Sequence, residues 1–124
     1  MKRETLRKKE RLNKLADHLE NSVLDKEYNH GSYCGKNLCR TTHCALGHAA
    51  ATKGKFPGLQ LDFDQFGVLI NLTGSWCDED IEADRYFGDK AYRTIFGGGA
   101  FKSYKPKRKT VIKRIRQFSN SLQD

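Results

Sequence analysis

Two apolar stripes at helical spacing, one near each end of the chain, limit most strongly what this sequence can fold into. Leu12, Leu15, Ala16, Leu19 and Val23 recur at i, i+3, i+4, i+7 and i+11, one face of an α-helix. They predict a helix over 3–22, with Leu6 extending the stripe. Charges of both signs fill its other face, where Glu4 and Lys8 make a favourable i, i+4 pair. Near the other end, Val111, Ile115, Phe118 and Leu122 repeat at i, i+4, i+7 and i+11, with Ile112 beside them. They predict a last helix over about 107–122, with Val111, Ile115 and Phe118 buried. An amphipathic helix needs a surface to cover its stripe.

That surface has to come from the middle of the chain. Residues 25–41 hold Asn29, Gly31, Ser32, Gly35 and Asn37 and read as irregular. Thr41 or Thr42 suits the N-cap of a short helix from His43 to Ala51, stopped near Gly54 and Pro57. Gly47 and the alanines of that helix permit close approach of another backbone. Leu59, Leu61 and Phe63 alternate with polar residues, as do Val68, Ile70 and Leu72 after Gly67. Two short strands joined as a hairpin follow. Ser75 or Asp78 can cap a third helix through Ile81, Ala83, Tyr86 and Phe87, stopped by Gly88. Asp89 can cap a fourth, carrying Ala91, Tyr92, Ile95 and Phe96 and ended by Gly97-Gly98-Gly99. The expected fold is mainly α with a small β-hairpin (α+β): a compact single domain, 1–124, of about five helices, the first, second and last packed around residues 86–96.

A length of 124 residues fits one domain. No run of about 18 apolar residues is present, and the charged start Met1-Lys2-Arg3-Glu4 does not read as a secretory leader. The expectation is a cytoplasmic protein, or a virion component, with its four cysteines reduced.

The run Cys39-Arg40-Thr41-Thr42-His43-Cys44-Ala45-Leu46-Gly47-His48-Ala49, then Ala83-Asp84-Arg85-Tyr86-Phe87-Gly88 and Ile95-Phe96, resembles a family of small phage-encoded and bacterial proteins. That family is built around C-G-T-x-x-C-x-x-G-[HW]-A and a later A-x-x-x-F-[FL]-G segment. The chain departs from it at Arg40, where glycine is usual, and in carrying Cys34 and Cys77. The resemblance implies a phage or prophage setting and a compact helical fold; it implies no activity. Tryptophan often stands in the family where this chain has His48, so the motif is not inherently a metal site.

Six of the eight Cys and His residues lie between His30 and His48. Thiolate and imidazole are the ligands of tetrahedral zinc. The set Cys34, Cys39, Cys44 and His48 could hold one ion, since Cys44 and His48 are i, i+4 on one predicted helix. The spacing C-x4-C-x4-C-x3-H matches no standard finger or ribbon. Two other readings stand beside zinc: cysteines buried as small hydrophobes with a hydrogen-bonded His48, and a reactive thiol beside His43 at a helix start. Asp62 and Asp64, and Asp78, Glu79, Asp80, Glu82 and Asp84, could hold a divalent ion, but such residues are more often solvated charges or caps. The glycine run lacks the G-K-[ST] ending of a phosphate loop.

Charge is unevenly spread. Residues 1–20 carry net +3, residues 21–100 net −2, and residues 101–124 net +7. Lys102, Lys105, Lys107, Arg108, Lys109, Lys113, Arg114 and Arg116 follow one another without an acid, with Phe101 and Tyr104 at the start. Three of these cations fall in the first turn of the last helix, where the dipole disfavours them by about 0.3–1 kcal/mol each. Some other demand for charge is implied, and nucleic-acid phosphate is the usual one. Lys107 and Arg114 could contact phosphate, and Phe101 or Tyr104 could stack on a base. Alternatively the cations complement an acidic surface of the same chain, such as Asp78–Asp84, or of a partner protein. No tryptophan or long apolar face accompanies them, which disfavours a membrane surface. The leading expectation is a non-enzymatic phage-type accessory protein that binds nucleic acid or a nucleoprotein assembly through its basic C-terminal helix. The next is an inhibitor of a host or defence complex, or a virion component, using the same face; a metal-dependent or thiol enzyme ranks last.

Overall fold

The first stripe forms helix α1, Arg3–Ser22, and the last forms helix α4, Arg108–Ser121. The structure, a computed structural model, describes residues 2–28, 44–63, 69–72, 79–97, 100–102 and 106–123. Leu12, Leu15, Ala16 and Leu19 are fully buried and Val23 nearly so, as their spacing requires. Leu6 is not part of this stripe: it is 48% exposed. On α4, Val111, Ile112 and Ile115 are buried, while Phe118 and Leu122 are half-buried against the edge of the core.

Between these helices lie a 3-10 turn at Asp25–Glu27, helix α2 at Ala45–Ala51, a second 3-10 turn at Lys53–Lys55, strands β1 at Leu61–Phe63 and β2 at Leu69–Asn71, helix α3 at Glu79–Phe87, and a π-helical turn at Tyr92–Phe96. The fold is therefore mainly α with a small β-hairpin. The strands pair antiparallel with Asp62 opposite Ile70, and Leu72 N–H extends the ladder by donating to Gln60 O. The Leu72 side chain, expected on the apolar face, is 46% exposed. No helix of the described residues is long and apolar enough to cross a membrane.

Helix α2 starts later than expected. Cys44 is its N-cap, in extended backbone, and its Sγ accepts from Gly47 N–H at 3.4 Å. Thr41 and Thr42, the expected caps, lie outside the described residues, as do Ser75 and Asp78 for α3. The end of α2 at Ala51 is the expected one, with Thr52 Oγ1 donating back to His48 O. The segment expected as a helix capped by Asp89 is instead the π-helical turn, and its first amide, Tyr92 N–H, donates to Asp84 on α3. A carboxylate from the preceding helix thus replaces the local cap.

The core joins α1, α2, α3, the π-helical turn and α4 in one cluster. Phe87 sits at its centre, with the rings of Tyr86, Phe96 and Phe56 at centroid distances of 4.9, 5.4 and 6.2 Å. Such tilted and edge-on pairs are favoured by the ring quadrupole. Gly88, at φ +128°, ends α3 beneath α4; a Cβ there would meet Leu122 at 3.2 Å and Phe118 at 3.3 Å. Glycine is needed both for the backbone angle and for the close approach.

Candidate nucleic-acid interface

Each α-helix ends with orphan carbonyls that need donors. Arginines from elsewhere in the chain supply several of them. Helix α1 has no basic residue in its last turn. Arg108, the first residue of α4, donates to Leu19 O at 2.6 Å and to Glu20 O at 3.4 Å, and pairs with Asp25 at 2.9 Å. Arg11 on α1 donates to Tyr86 O at the end of α3, its guanidinium 4.0 Å from the centroid of that ring. Arg114 donates to Thr94 O at 2.9 Å and Ala100 O at 2.7 Å, and lies 4.3 Å from the centroid of the Phe101 ring. Phe101 is therefore occupied by an arginine of its own chain.

Arg116 reaches α1 as well, 2.9 Å from Asp17 and 3.7 Å from Glu20. The acids that meet the basic helix are thus Asp17, Glu20 and Asp25; among the described residues no ion pair joins it to the acids of α3. Of the sequence-predicted binding residues, Arg108, Arg114 and Arg116 are half-buried and hold internal partners. Lys102, Lys107, Lys109 and Lys113 are exposed, and none of them pairs with an acid of the described residues. Tyr104 and Lys105 lie outside the described residues. Arg108 makes partial sense of the cations at the start of α4: the dipole of that helix disfavours them, but the C-terminus of α1 lies alongside and attracts one of them.

Cys44 and His48 are both buried. His48 Nε2 lies 2.9 Å from Glu27 O; a carbonyl only accepts, so this nitrogen carries the proton. Tyr28 stacks on the His48 ring at 6.1 Å, and His18 approaches it at 6.4 Å. Cys34, Cys39, His30 and His43 lie outside the described residues. Among the described residues no three His, Cys, Asp or Glu side chains come together to hold a metal ion. Sequence spacing misses His18 and Tyr28, because both come from α1 and the turn after it and meet α2 only through packing. His18 Nδ1 accepts from Lys55 Nζ at 3.1 Å. Burial first, and then the Lys55 charge, push the His18 pKa down.

The acidic candidates are dispersed into separate tasks. Asp62 pairs with Lys53 at 2.8 Å, and that hydrogen bond is the main reason its pKa is lowered. Glu82, 2% exposed, takes both prongs of Arg85 at 2.6 and 2.7 Å and also accepts from Gln60 N–H. It fastens α3 to the approach of β1. Asp84 caps the π-helical turn. An open cleft of about 350 Å³ beside it is lined by Asp80, Asp84, Asp89, Lys90, Tyr92 and Arg93, a mixture of both charges. Asp64 and Asp78 lie outside the described residues.

No protein-family model, curated protein or solved structure matches this chain. The resemblance of residues 39–49 and 83–96 to the phage and bacterial family therefore rests on the motif itself.

Proposed function

We propose that this protein is a non-enzymatic accessory protein, of the phage or prophage kind its motif implies, that binds the phosphate backbone of nucleic acid through the exposed lysines of α4 and of its N-cap position. The observation that carries this reading is the division of labour along that helix. Arg108, Arg114 and Arg116 serve the fold, while Lys107, Lys109 and Lys113 face solvent without acidic partners among the described residues. Lysines with no structural task in a chain of net charge +8 favour a polyanion.

The test is binding to duplex DNA and to RNA across a salt series. Log affinity should fall against log salt with a slope of about −0.9 per neutralised phosphate on duplex. Replacing Lys107, Lys109 and Lys113 by Gln should shrink the slope by about one unit for each phosphate left unneutralised, and should leave the unfolding midpoint unchanged. Unaltered binding by this variant would remove the α4 lysines from the interface. A protein that ignores nucleic acid but captures an acidic protein through the same lysines would turn the reading to an inhibitor or virion component.

A further inference from the structure

The first half of α1 is more basic than its surroundings need. Residues 2–14 hold seven Lys/Arg and two Glu. Arg11 is used at Tyr86, and Lys8 pairs with Glu4 at 3.3 Å. Arg3, Arg7 and Lys14 are exposed and pair with no acid of the described residues. At 3.6 residues per turn these three fall within about 40° of one another, on the side of α1 opposite Leu12. They form a row about 17 Å long at 1.5 Å per residue, the span of about five phosphates on one strand of duplex at 3.4 Å each. Glu10 is the single acid beside that row between Arg7 and Lys14, and it too is exposed.

The row does not stand apart from α4. One turn beyond Lys14 the same side of α1 carries Asp17, and Arg116 of α4 meets Asp17 at 2.9 Å. Arg116 is itself one turn from Lys113 and two from Lys109 along the outer side of α4. The bridge therefore joins two rows of cations, Lys109 and Lys113 on one helix and Lys14, Arg7 and Arg3 on the other, and pairs Asp17 where they meet, with Glu20 3.7 Å from the same guanidinium.

We infer that the nucleic-acid surface spans both helices, with Arg3, Arg7 and Lys14 of α1 contacting phosphates beyond those reached by α4. This rests on the nucleic-acid reading of α4. The physical case is that no acid of the described residues uses these three charges. Arg3 even sits in the first turn of α1, where the dipole opposes it.

The experiment compares the α4 triple Gln variant with an α1 variant carrying Arg3→Gln, Arg7→Gln and Lys14→Gln, both titrated with duplex DNA and RNA over a salt series. Gln keeps helix propensity close to that of Arg and Lys, and the conservative variant R3K/R7K checks that charge matters. The α1 variant should lower the slope by about two to three units, while R3K/R7K binds as wild type. Glu10→Gln should raise affinity at low salt, a gain that fades as salt rises, which a purely structural helix would not produce. If the α1 variant and Glu10→Gln both bind as wild type while the α4 variant is weakened, the inference fails and the α4 reading stands. If the wild-type protein binds neither nucleic acid at low salt, the underlying reading fails and takes this inference with it.

Discussion

Neighbouring cations in this chain do different work, and substitution should separate them. Arg108 sits against the last carbonyls of α1, with its side chain 20% exposed. Its partner Asp25 is largely exposed, so the ion pair adds little. The charge-assisted bonds to carbonyls matter more, and Arg108→Gln should cost about 1–2 kcal/mol in chemical denaturation. Lys109→Gln, one residue on, should stay within about 0.5 kcal/mol. His18 gives a second residue-scale expectation. Its folded pKa lies below the ordinary 6.5, because of burial and then Lys55. Below 6.5 the unfolded chain binds a proton that the folded protein does not. Stability should therefore fall as pH drops through 6.5 toward the folded pKa, and be level with respect to this group above 6.5. Denaturation midpoints at pH 7.5 and 5.5 should differ less in His18→Gln than in wild type; equal differences would remove His18 as the cause.

Helix α4 is docked most deeply by its apolar residues Val111, Ile112 and Ile115, and less deeply by Phe118 beyond them. Ile115 is fully buried and Phe118 only half-buried. Ile115→Ala should cost about 2–5 kcal/mol. Phe118→Ala should fall below the about 3–5 kcal/mol typical of a fully enclosed ring. A thermal melt of the two variants side by side gives the order, and a larger loss for Phe118 would reverse this picture of the dock. The stripe on α4 is legible in the sequence because helical spacing needs no tertiary information. How deeply each member sinks is not, since Gly88 and the end of α3 set how far the second half of α4 can approach. The π-helical turn likewise reads as an ordinary helix in the sequence. Its apolar residues Ile95 and Phe96 are evident there, but the cap from Asp84 depends on α3 lying beside it.

For the molecule as a whole, ligands add to a margin that a domain of this size keeps thin. If Cys34, Cys39, Cys44 and His48 hold zinc, protein prepared without chelator should carry about one zinc per chain. Chelation should then lower its unfolding temperature, because metal bound only by the folded state is part of folding stability. Metal-free protein with an unchanged melt would make Cys44 and His48 packing residues, held by Gly47 N–H and Glu27 O as observed. The two basic helices also share their acids: Asp17 and Glu20 meet Arg116, and Asp25 meets Arg108. Net charge alone therefore overstates what α4 can offer a partner and understates what α1 can.

Periodicity and charge in the sequence are enough to determine the mainly helical class, the two amphipathic helices, the short hairpin and the excess of cations near the C-terminus. Each of these depends on residues close together in the chain. Tertiary structure alone decides which cations are spent. Arg108 and Leu19 stand 89 residues apart in sequence, and Arg116 and Asp17 stand 99 apart. A charge becomes structural or available only when the fold brings, or fails to bring, an acceptor within hydrogen-bonding reach.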